Sequence, residues 1–258
     1  MFKQLIQKDF WDTVWVFVQR ELKIKYAQTY LGIFWMLFPP LMAFLVASFF
    51  FGNMMKVSTS IPNYSLYAYC GMMAWYYFSY VISFSSVSLI QNQDIVEKSN
   101  VPRLVFPLAK SLTGMLDLFI WILILIVMIP IKGLSYHPSL AYIPFIMIMN
   151  LIAGLSIGIW IAAFSIRYRD IYQLVPYIIT VTMLVTPVFY HPFMVPEHLR
   201  MFLFSNPVAG VIEFYRKAFI HAGQSVSEFL PGFLISLVVL FLGLLYFFKQ
   251  EKYMAERI

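Results

Sequence analysis

Cysteine is nearly absent from the sequence, in which Cys70 is the only one among 258 residues. A single cysteine excludes an internal disulfide and any metal site built from paired cysteines. Because Cys70 lies within an apolar stretch, we expect it to be a small, buried hydrophobic side chain. The four histidines are scattered without the spacing of metal ligands, so the sequence favours no metal site.

Charged residues are also scarce, since 12% of the residues are charged and 61% are hydrophobic. This composition excludes an ordinary soluble protein and is typical of a protein that crosses a membrane several times. The net charge of +6 fits the basic cytoplasmic loops of such proteins, so we expect no nucleic-acid partner.

The phosphate-binding pattern G-x-x-x-x-G-K-[ST] is missing from the sequence. This loop cradles the phosphates of the nucleotide in many proteins that hydrolyse ATP. We therefore expect no ATPase activity and no cofactor in this chain alone.

A basic, amphipathic segment leads into the first long apolar stretch. Residues 33–51 contain no charge, and about 19 residues at ~1.5 Å each cross most of a ~30 Å bilayer core. Residues 1–28 place apolar side chains at i, i+3, i+4 and i+7, which predicts an amphipathic helix in the membrane interface. A helix packed on a neighbouring protein is the alternative, and both can hold together.

Five more apolar stretches follow the first span, which we place at about 31–51. They cover about 64–90, 111–129, 141–166, 174–188 and 229–248. We therefore predict an all-α integral membrane fold with six transmembrane helices in a single domain, 1–258, preceded by an amphipathic interfacial helix within 1–30.

The loops predict the orientation of these spans. Thirteen of the 18 lysine and arginine residues lie on the same side as the two termini. Because basic loops stay in the cytoplasm, we expect both termini to be cytoplasmic.

Residues 189–228 form the longest loop, on the predicted outer side. Asn206 followed by Pro207 is a helix-start signal, so we predict a helix over 208–220. We expect this region to form re-entrant outer helices between spans five and six, because irregular backbone is tolerated at depth where protein or water surrounds it.

The cytoplasmic connection between spans two and three covers residues 91–110. Residues 94–99 predict a short helix that Pro102 stops. A short helix held between the ends of two spans can act as a lever, because force on it tilts both spans. An ordinary anchored loop is the alternative.

Asp117 is the one acidic residue that we place within a span. A carboxylate inside a membrane is a functional candidate, as a proton relay or as a polar contact between helices. We favour a structural contact with a cation or polar group of the inner side over proton coupling.

Short motifs occur in order along the chain. They are Arg20-Glu21-Leu22-Lys23 with Tyr26, Leu31-Gly32 with Trp35 and Pro40, Asn92 with Lys98, Pro102-Arg103, Pro107-Leu108-Ala109, Tyr168-Arg169-Asp170, Thr186-Pro187-Val188-Phe189-Tyr190, Asn206-Pro207, and Glu213 with Tyr215-Arg216. Together they resemble the membrane subunits of type-2 ABC exporters of polysaccharides, the O-antigen, capsule and teichoic acid group. Pro39 departs from the family pattern, in which a polar residue is expected.

The resemblance implies a homodimer in the bacterial inner membrane that works with two separate cytoplasmic ATPase subunits, which bind ATP and magnesium. Its cargo is then a lipid-linked polysaccharide leaving the cytoplasm. An exporter of a small amphiphile or drug, from the same class, is the alternative. A membrane-embedded transferase and a secondary transporter are more remote, because the sequence has neither a cluster of acidic or histidine residues nor an internal repeat.

The resemblance also implies a role for several groups of residues. The gate at the pore mouth is expected at Tyr30, Leu31 and Gly32, and candidate channel-lining rings on span one are Phe34, Trp35, Phe38 and Phe49. Contacts with the ATPase are expected at Asp94, Ile95, Glu97 and Lys98. The cations Arg20, Lys23 and Lys25, near the membrane interface, are expected to attract an anionic lipid head group.

The predicted orientation can be tested by cysteine labelling in a Cys70→Ser background. We expect His198→Cys, in the outer loop, to react with a membrane-impermeant thiol reagent in intact cells. Asn100→Cys, in the connection between spans two and three, is the control and should react after the cells are opened. If His198→Cys reacted only after the cells were opened, the predicted orientation would be wrong.

Overall fold

The structure, a computed structural model, describes residues 7–26, 34, 36–46, 49, 63–168, 170–222 and 226–257, and these form helices joined by turns without a β-strand. The helices are α1 Lys8–Tyr26, α2 Phe38–Val46, α3 Tyr64–Gln91, α4 Gln93–Lys98, α5 Val105–Ile131, α6 Ile143–Ser165, α7 Asp170–Val185, α8 Glu197–Ser205, α9 Pro207–Ile220 and α10 Val226–Arg257. Short 3₁₀ turns, Pro138–Tyr142 and Pro192–Met194, precede α6 and α8.

Four helical stretches in the described part of the chain are long and apolar enough to cross a membrane. They are Tyr64–Gln91, Val105–Ile131, Pro138–Ser165 and Leu230–Glu251. These four candidate spans coincide with the predicted second, third, fourth and sixth spans, with ends that differ by a few residues. The predicted fifth span corresponds to α7, a shorter apolar helix of 16 residues.

The predicted first span lies partly outside the described residues. Its described part includes α2, which has 9 residues and contains both Pro39 and Pro40. The total of six spans therefore stays a prediction, and the all-helical membrane fold is confirmed.

α3 is the centre of the bundle and is buried on most of its sides between α5, α6 and α9. Small residues allow α6 to approach it closely. A Cβ atom built on Gly154 would lie 2.7 Å from the Val81 side chain, and one on Gly158 would lie 3.0 Å from Ser85. Small residues at this spacing are typical of membrane helices in direct backbone contact.

Residues 154–158 also match the spacing G-x-S-x-G of serine hydrolases, in which the serine sits at a turn between a strand and a helix. Here the five residues lie inside α6, and Ser156 Oγ donates a hydrogen bond to the carbonyl oxygen of Ala153 at 2.7 Å. The glycines serve helix packing, and Ser156 is not an exposed nucleophile.

α1 is the amphipathic helix that the sequence predicts. Phe10, Val14 and Val18 are buried along one stripe, whereas Trp15 on the other side is exposed. The buried stripe faces the start of α5, as Phe17 shows by its edge-to-face contact with Phe106. The side of α1 that faces away from the bundle therefore carries most of its charged residues together with exposed apolar ones such as Trp15.

α9 begins as predicted, because Asn206 Oδ1 accepts a hydrogen bond from the Val208 amide at 3.2 Å and Pro207 occupies the first turn. The helix is buried against α3, α6 and α10. Its depth in the membrane stays a prediction.

A buried arginine fixes α9 to α3. Sequence spacing allows Glu213 to pair with Arg216 or with Lys217, and the structure pairs it with Arg216 at 2.6 Å. Arg216 is fully buried, its guanidinium carbon lies 3.5 Å from the centroid of the Tyr67 ring, and Nη2 donates to the Val188 carbonyl at 2.7 Å. The buried guanidinium of Arg216 is therefore stabilised by a carboxylate, an aromatic ring and a backbone carbonyl.

Candidate functional site

A cavity of about 660 Å³ opens on the side of the bundle between the end of α1, α2, α3, α5 and α7. We call it the aromatic cavity. Five of its lining residues carry aromatic rings: Tyr26, Tyr76, Tyr80, Phe84 and Trp121. Its volume is typical of sites that hold small organic ligands.

The rings of the aromatic cavity are held in place by contacts with each other and with the backbone. Tyr80 and Phe84 pack with their centroids 4.3 Å apart, and Tyr76 makes an edge contact with Trp121 at 5.9 Å. Trp121 Nε1 donates a hydrogen bond to the Met36 carbonyl at 2.7 Å, which joins α5 to the segment before α2. The cavity therefore has stiff, flat walls.

One polar cluster interrupts these apolar walls. Lys25 forms an ion pair with Asp117, and the Tyr26 hydroxyl donates a hydrogen bond to the other oxygen of the same carboxylate. The Lys25 ammonium also lies 4.6 Å from the centroid of the Tyr80 ring. Burial, and then the hydrogen bond to Asp117, raise the pKa of Tyr26 far above its usual value, so Tyr26 stays a neutral donor.

Asp117 is therefore the structural contact that the sequence favoured. Its partner is a cation of the N-terminal helix, and both of its oxygens are occupied.

Two more polar contacts tie α1 to the bundle. Glu21 is buried and accepts a hydrogen bond from Lys110 of α5 at 2.5 Å. Arg20 donates to Asn92 Oδ1 at 2.7 Å, at the joint between α3 and α4. Together with Lys25 and Asp117, these contacts place α1 across the ends of α3, α4 and α5 as one connected unit.

The cations Arg20, Lys23 and Lys25 do not form one cluster. Arg20 and Lys25 are engaged by Asn92 and Asp117, and Lys23 is exposed. Positions 20 and 23 are neighbours at i, i+3 on the helix surface, whereas position 25 points away from both, so an anion site shared by all three cations would need side-chain movement.

α4 confirms the short helix predicted after span two. Val96 is buried beneath it, whereas Asp94, Glu97 and Lys98 are exposed and Ile95 is half-buried. Arg103 supports the buried side of the helix, because its Nη2 donates a hydrogen bond to the Val96 carbonyl at 3.4 Å. The backbone amide of Arg103 donates to Glu251 of α10 at 3.0 Å. α4 thus exposes a small charged surface, while its buried side is held by contacts with the bundle.

The predicted channel-lining rings of span one are exposed in the part of the chain that the structure describes. Phe34, Phe38 and Phe49 are more than half exposed, at 69%, 51% and 56%. None of the three lines the aromatic cavity. Tyr30, Leu31, Gly32 and Trp35 lie outside the described residues, so the predicted gate is not described.

The sequence analysis did not select the rings that line the aromatic cavity. Tyr76, Tyr80 and Phe84 are four residues apart along α3, so they share one face of the helix. Asp117 and Trp121 have the same spacing on α5. An i, i+4 series of rings beside an intramembrane carboxylate is the signal that would have found this site.

Comparison with known proteins gives a consistent result. The family model for ABC-2 type transporters matches residues 12–220. The chain is 28% identical over 252 residues to the O-antigen export system permease protein RfbA of Klebsiella pneumoniae, across 95% of this chain and 94% of that protein. It is 23% identical to the protein of the same name from Myxococcus xanthus, across 93% of each chain. It is 21% identical to the polysialic acid transport protein KpsM of Escherichia coli, across 94% of this chain and 95% of that protein.

The ion pair between Lys25 and Asp117 yields a prediction about stability. Asp117→Asn should lower the free energy of unfolding by about 2 kcal/mol, because it leaves the Lys25 ammonium without its counterion. The cost stays below the ~3–5 kcal/mol typical of fully buried pairs because Lys25 is partly exposed. Denaturant unfolding in detergent micelles measures the change.

Asp94→Asn is the matched control, because its pair with Lys98 is exposed and should contribute little. The double variant Lys25→Gln/Asp117→Asn should lose less than the sum of the two single variants, since it removes both charges. An Asp117→Asn chain as stable as the Asp94→Asn chain would contradict the assignment.

Proposed function

Because the chain belongs to the ABC-2 type transporter family, we propose that it is the membrane subunit of an ATP-driven exporter of a lipid-linked polysaccharide. The observation that carries the proposal is its similarity, over nearly the full length of both chains, to permeases of O-antigen export and to a polysialic acid transport protein. The exporter works in the bacterial inner membrane with both termini in the cytoplasm.

The chemistry of the aromatic cavity supports a glycan as cargo. Sugar rings have apolar C–H faces that stack on aromatic rings and polar hydroxyl edges that need hydrogen-bond partners. Tyr80, Phe84 and Trp121 offer such faces, and Ser79 and Ser83 place hydroxyl groups beside them. Stacking on flat rings holds successive sugars without a dense set of fixed hydrogen bonds, which suits a polymer that has to move.

The exposed faces of α2 and α7 support a homodimer. Both helices border the aromatic cavity, through Pro39 and through Pro176 with Ile179. Their outward side chains are large and apolar, and those of α7 include Tyr177, Val181 and Leu184, each more than 60% exposed. Such a surface needs either lipid or protein beside it, and we assign it to a second copy, so that two aromatic cavities face one pore.

The contacts of α1 and α4 support coupling to two separate ATPase subunits, which bind ATP and magnesium. The exposed charges of α4 can meet the ATPase from the cytoplasm, and its buried side is fixed to α3 and to Arg103. Movement of α4 or α1 is passed to α3 and α5 through Arg20 and Glu21.

Substrate recognition follows from the cations around the pore mouth. Lys23 is exposed and suits first contact with an anionic lipid head group. Lys25 lies deeper, in the wall of the aromatic cavity, where Asp117 balances its charge. Tyr30, Leu31 and Gly32 form the gate in this proposal, since they link α1 to the first span.

The function can be tested by transport in sealed vesicles that contain this chain and its ATPase. We expect ATP-dependent movement of a lipid-linked glycan across the bilayer, and no movement with a non-hydrolysable ATP analogue. The chain without the ATPase should hydrolyse no ATP. Transport of a small amphiphile without transport of the glycan would instead identify a drug or lipid exporter.

Coupling through α4 gives a second prediction. Lys98→Glu should lower glycan export more than about tenfold, because a repulsion of several kcal/mol replaces an attraction at the ATPase surface. Membrane insertion should be unchanged, since Lys98 is exposed and lies outside the spans.

The matched control is Lys249→Glu, which reverses an exposed lysine of α10 instead of one on α4 and should preserve export. ATP hydrolysis, export and co-purification of the ATPase are measured for both variants. Full export by the Lys98→Glu chain would place the coupling contact elsewhere, most directly on α1.

A further inference from the structure

A second cavity, of about 310 Å³, lies at the end of the bundle opposite Lys110. We call it the Lys217 pocket. Ile146 and Ala218 form its buried floor, and Tyr142, Phe145 and Phe214 form its walls. It is a narrow apolar recess between the start of α6 and the last two turns of α9, separate from the aromatic cavity.

The rim of the Lys217 pocket carries its polar groups. Lys217 and Ser139 line the rim, and Lys217 is exposed. Among the described residues, Lys217 takes part in no ion pair, because the nearby Glu213 is held by Arg216. The Ser139 hydroxyl hydrogen-bonds with His137 Nδ1 at 2.8 Å, and the His137 ring contacts His221. The pocket therefore combines an apolar interior with a cationic, hydrogen-bonding edge.

The position of the pocket along the helix indicates which medium it meets. It lies at the beginning of Pro138–Ser165, one of the four stretches able to span the membrane. Tyr142 and Phe145 are 64% and 56% exposed there, as is typical of rings at the level of lipid head groups. A span that begins here would bring the apolar interior of the pocket to the level of acyl chains and the ammonium of Lys217 to the level of their phosphates.

We propose that the Lys217 pocket is a binding site for one anionic phospholipid. Its phosphate pairs with Lys217, beside the hydrogen bond that joins Ser139 to His137, and the upper part of an acyl chain fills the recess over Ile146 and Ala218. The bound lipid covers the junction of α6 and α9, and so supports the helix that Arg216 fixes on its other side. This inference is independent of the cargo of the transporter.

Native mass spectrometry of the full chain, purified from bilayers with equal amounts of phosphatidylglycerol and phosphatidylcholine, tests the proposal. We expect retained phosphatidylglycerol in excess over phosphatidylcholine. Lys217→Gln should lower this retention about fivefold, because a lysine near the lipid surface contributes ~1 kcal/mol. Added inorganic phosphate should displace little lipid, since a free anion gains nothing from the apolar recess.

Lys132→Gln is the matched control, because Lys132 follows α5 at the same end of the bundle and does not line the pocket. It should retain lipid as the unchanged chain does. Phe145→Ala, at an exposed wall position, should lower retention with Lys217 intact. Equal loss in Lys217→Gln and Lys132→Gln, equal retention of the two lipids, or displacement by phosphate would each overturn the proposal.

Discussion

The structure depends on how a strongly apolar chain neutralises the few charges that it buries. A buried charge without a partner is costly, and removing one member of a buried pair costs about 3–5 kcal/mol. Glu21 with Lys110 and Lys25 with Asp117 meet this constraint by joining α1 to α5. The two contacts on α5 are two helical turns apart, so α1 cannot slide or tilt alone without breaking one of them. Arg216 and Glu213 meet the same constraint at the opposite end of the bundle.

These pairs divide the chain into a stiff part and a more loosely held part. α1, α3, α4 and α5 are joined by polar contacts and by the packed rings of the aromatic cavity. α7, in contrast, is exposed along most of its length and borders the aromatic cavity through Pro176 and Ile179. A third cavity, of about 260 Å³, lies under the same helix and is also lined by Ile179. Ile179 thus borders a cavity on each side, so α7 is packed against the stiff part less tightly than the helices of that part are packed against each other.

The sequence predicted the helices that local patterns encode, but it did not predict contacts between residues that are far apart in the chain. Hydropathy and length identified α3, α5, α6 and α10, and the pair Asn206-Pro207 identified the start of α9. The partner of Asp117 was beyond such reasoning, because Lys25 lies 92 positions away and no local rule selects one cation among several. The rings of the aromatic cavity were missed for another reason. α3 is apolar on nearly all sides, so periodicity alone does not tell which of its many aromatic side chains face a cavity.

The claim that α1 and α5 move as one body is tested most directly by distances between spin labels. In a Cys70→Ser chain, labels at Val16→Cys and Leu116→Cys occupy exposed positions on α1 and α5, and a label at Val181→Cys reports on α7. Labelled copies are diluted with unlabelled ones, so that each distance lies within one subunit. The account predicts that the distance between positions 16 and 116 is the same without nucleotide and with trapped ATP, while the distance between 116 and 181 changes. A change between positions 16 and 116 would contradict it.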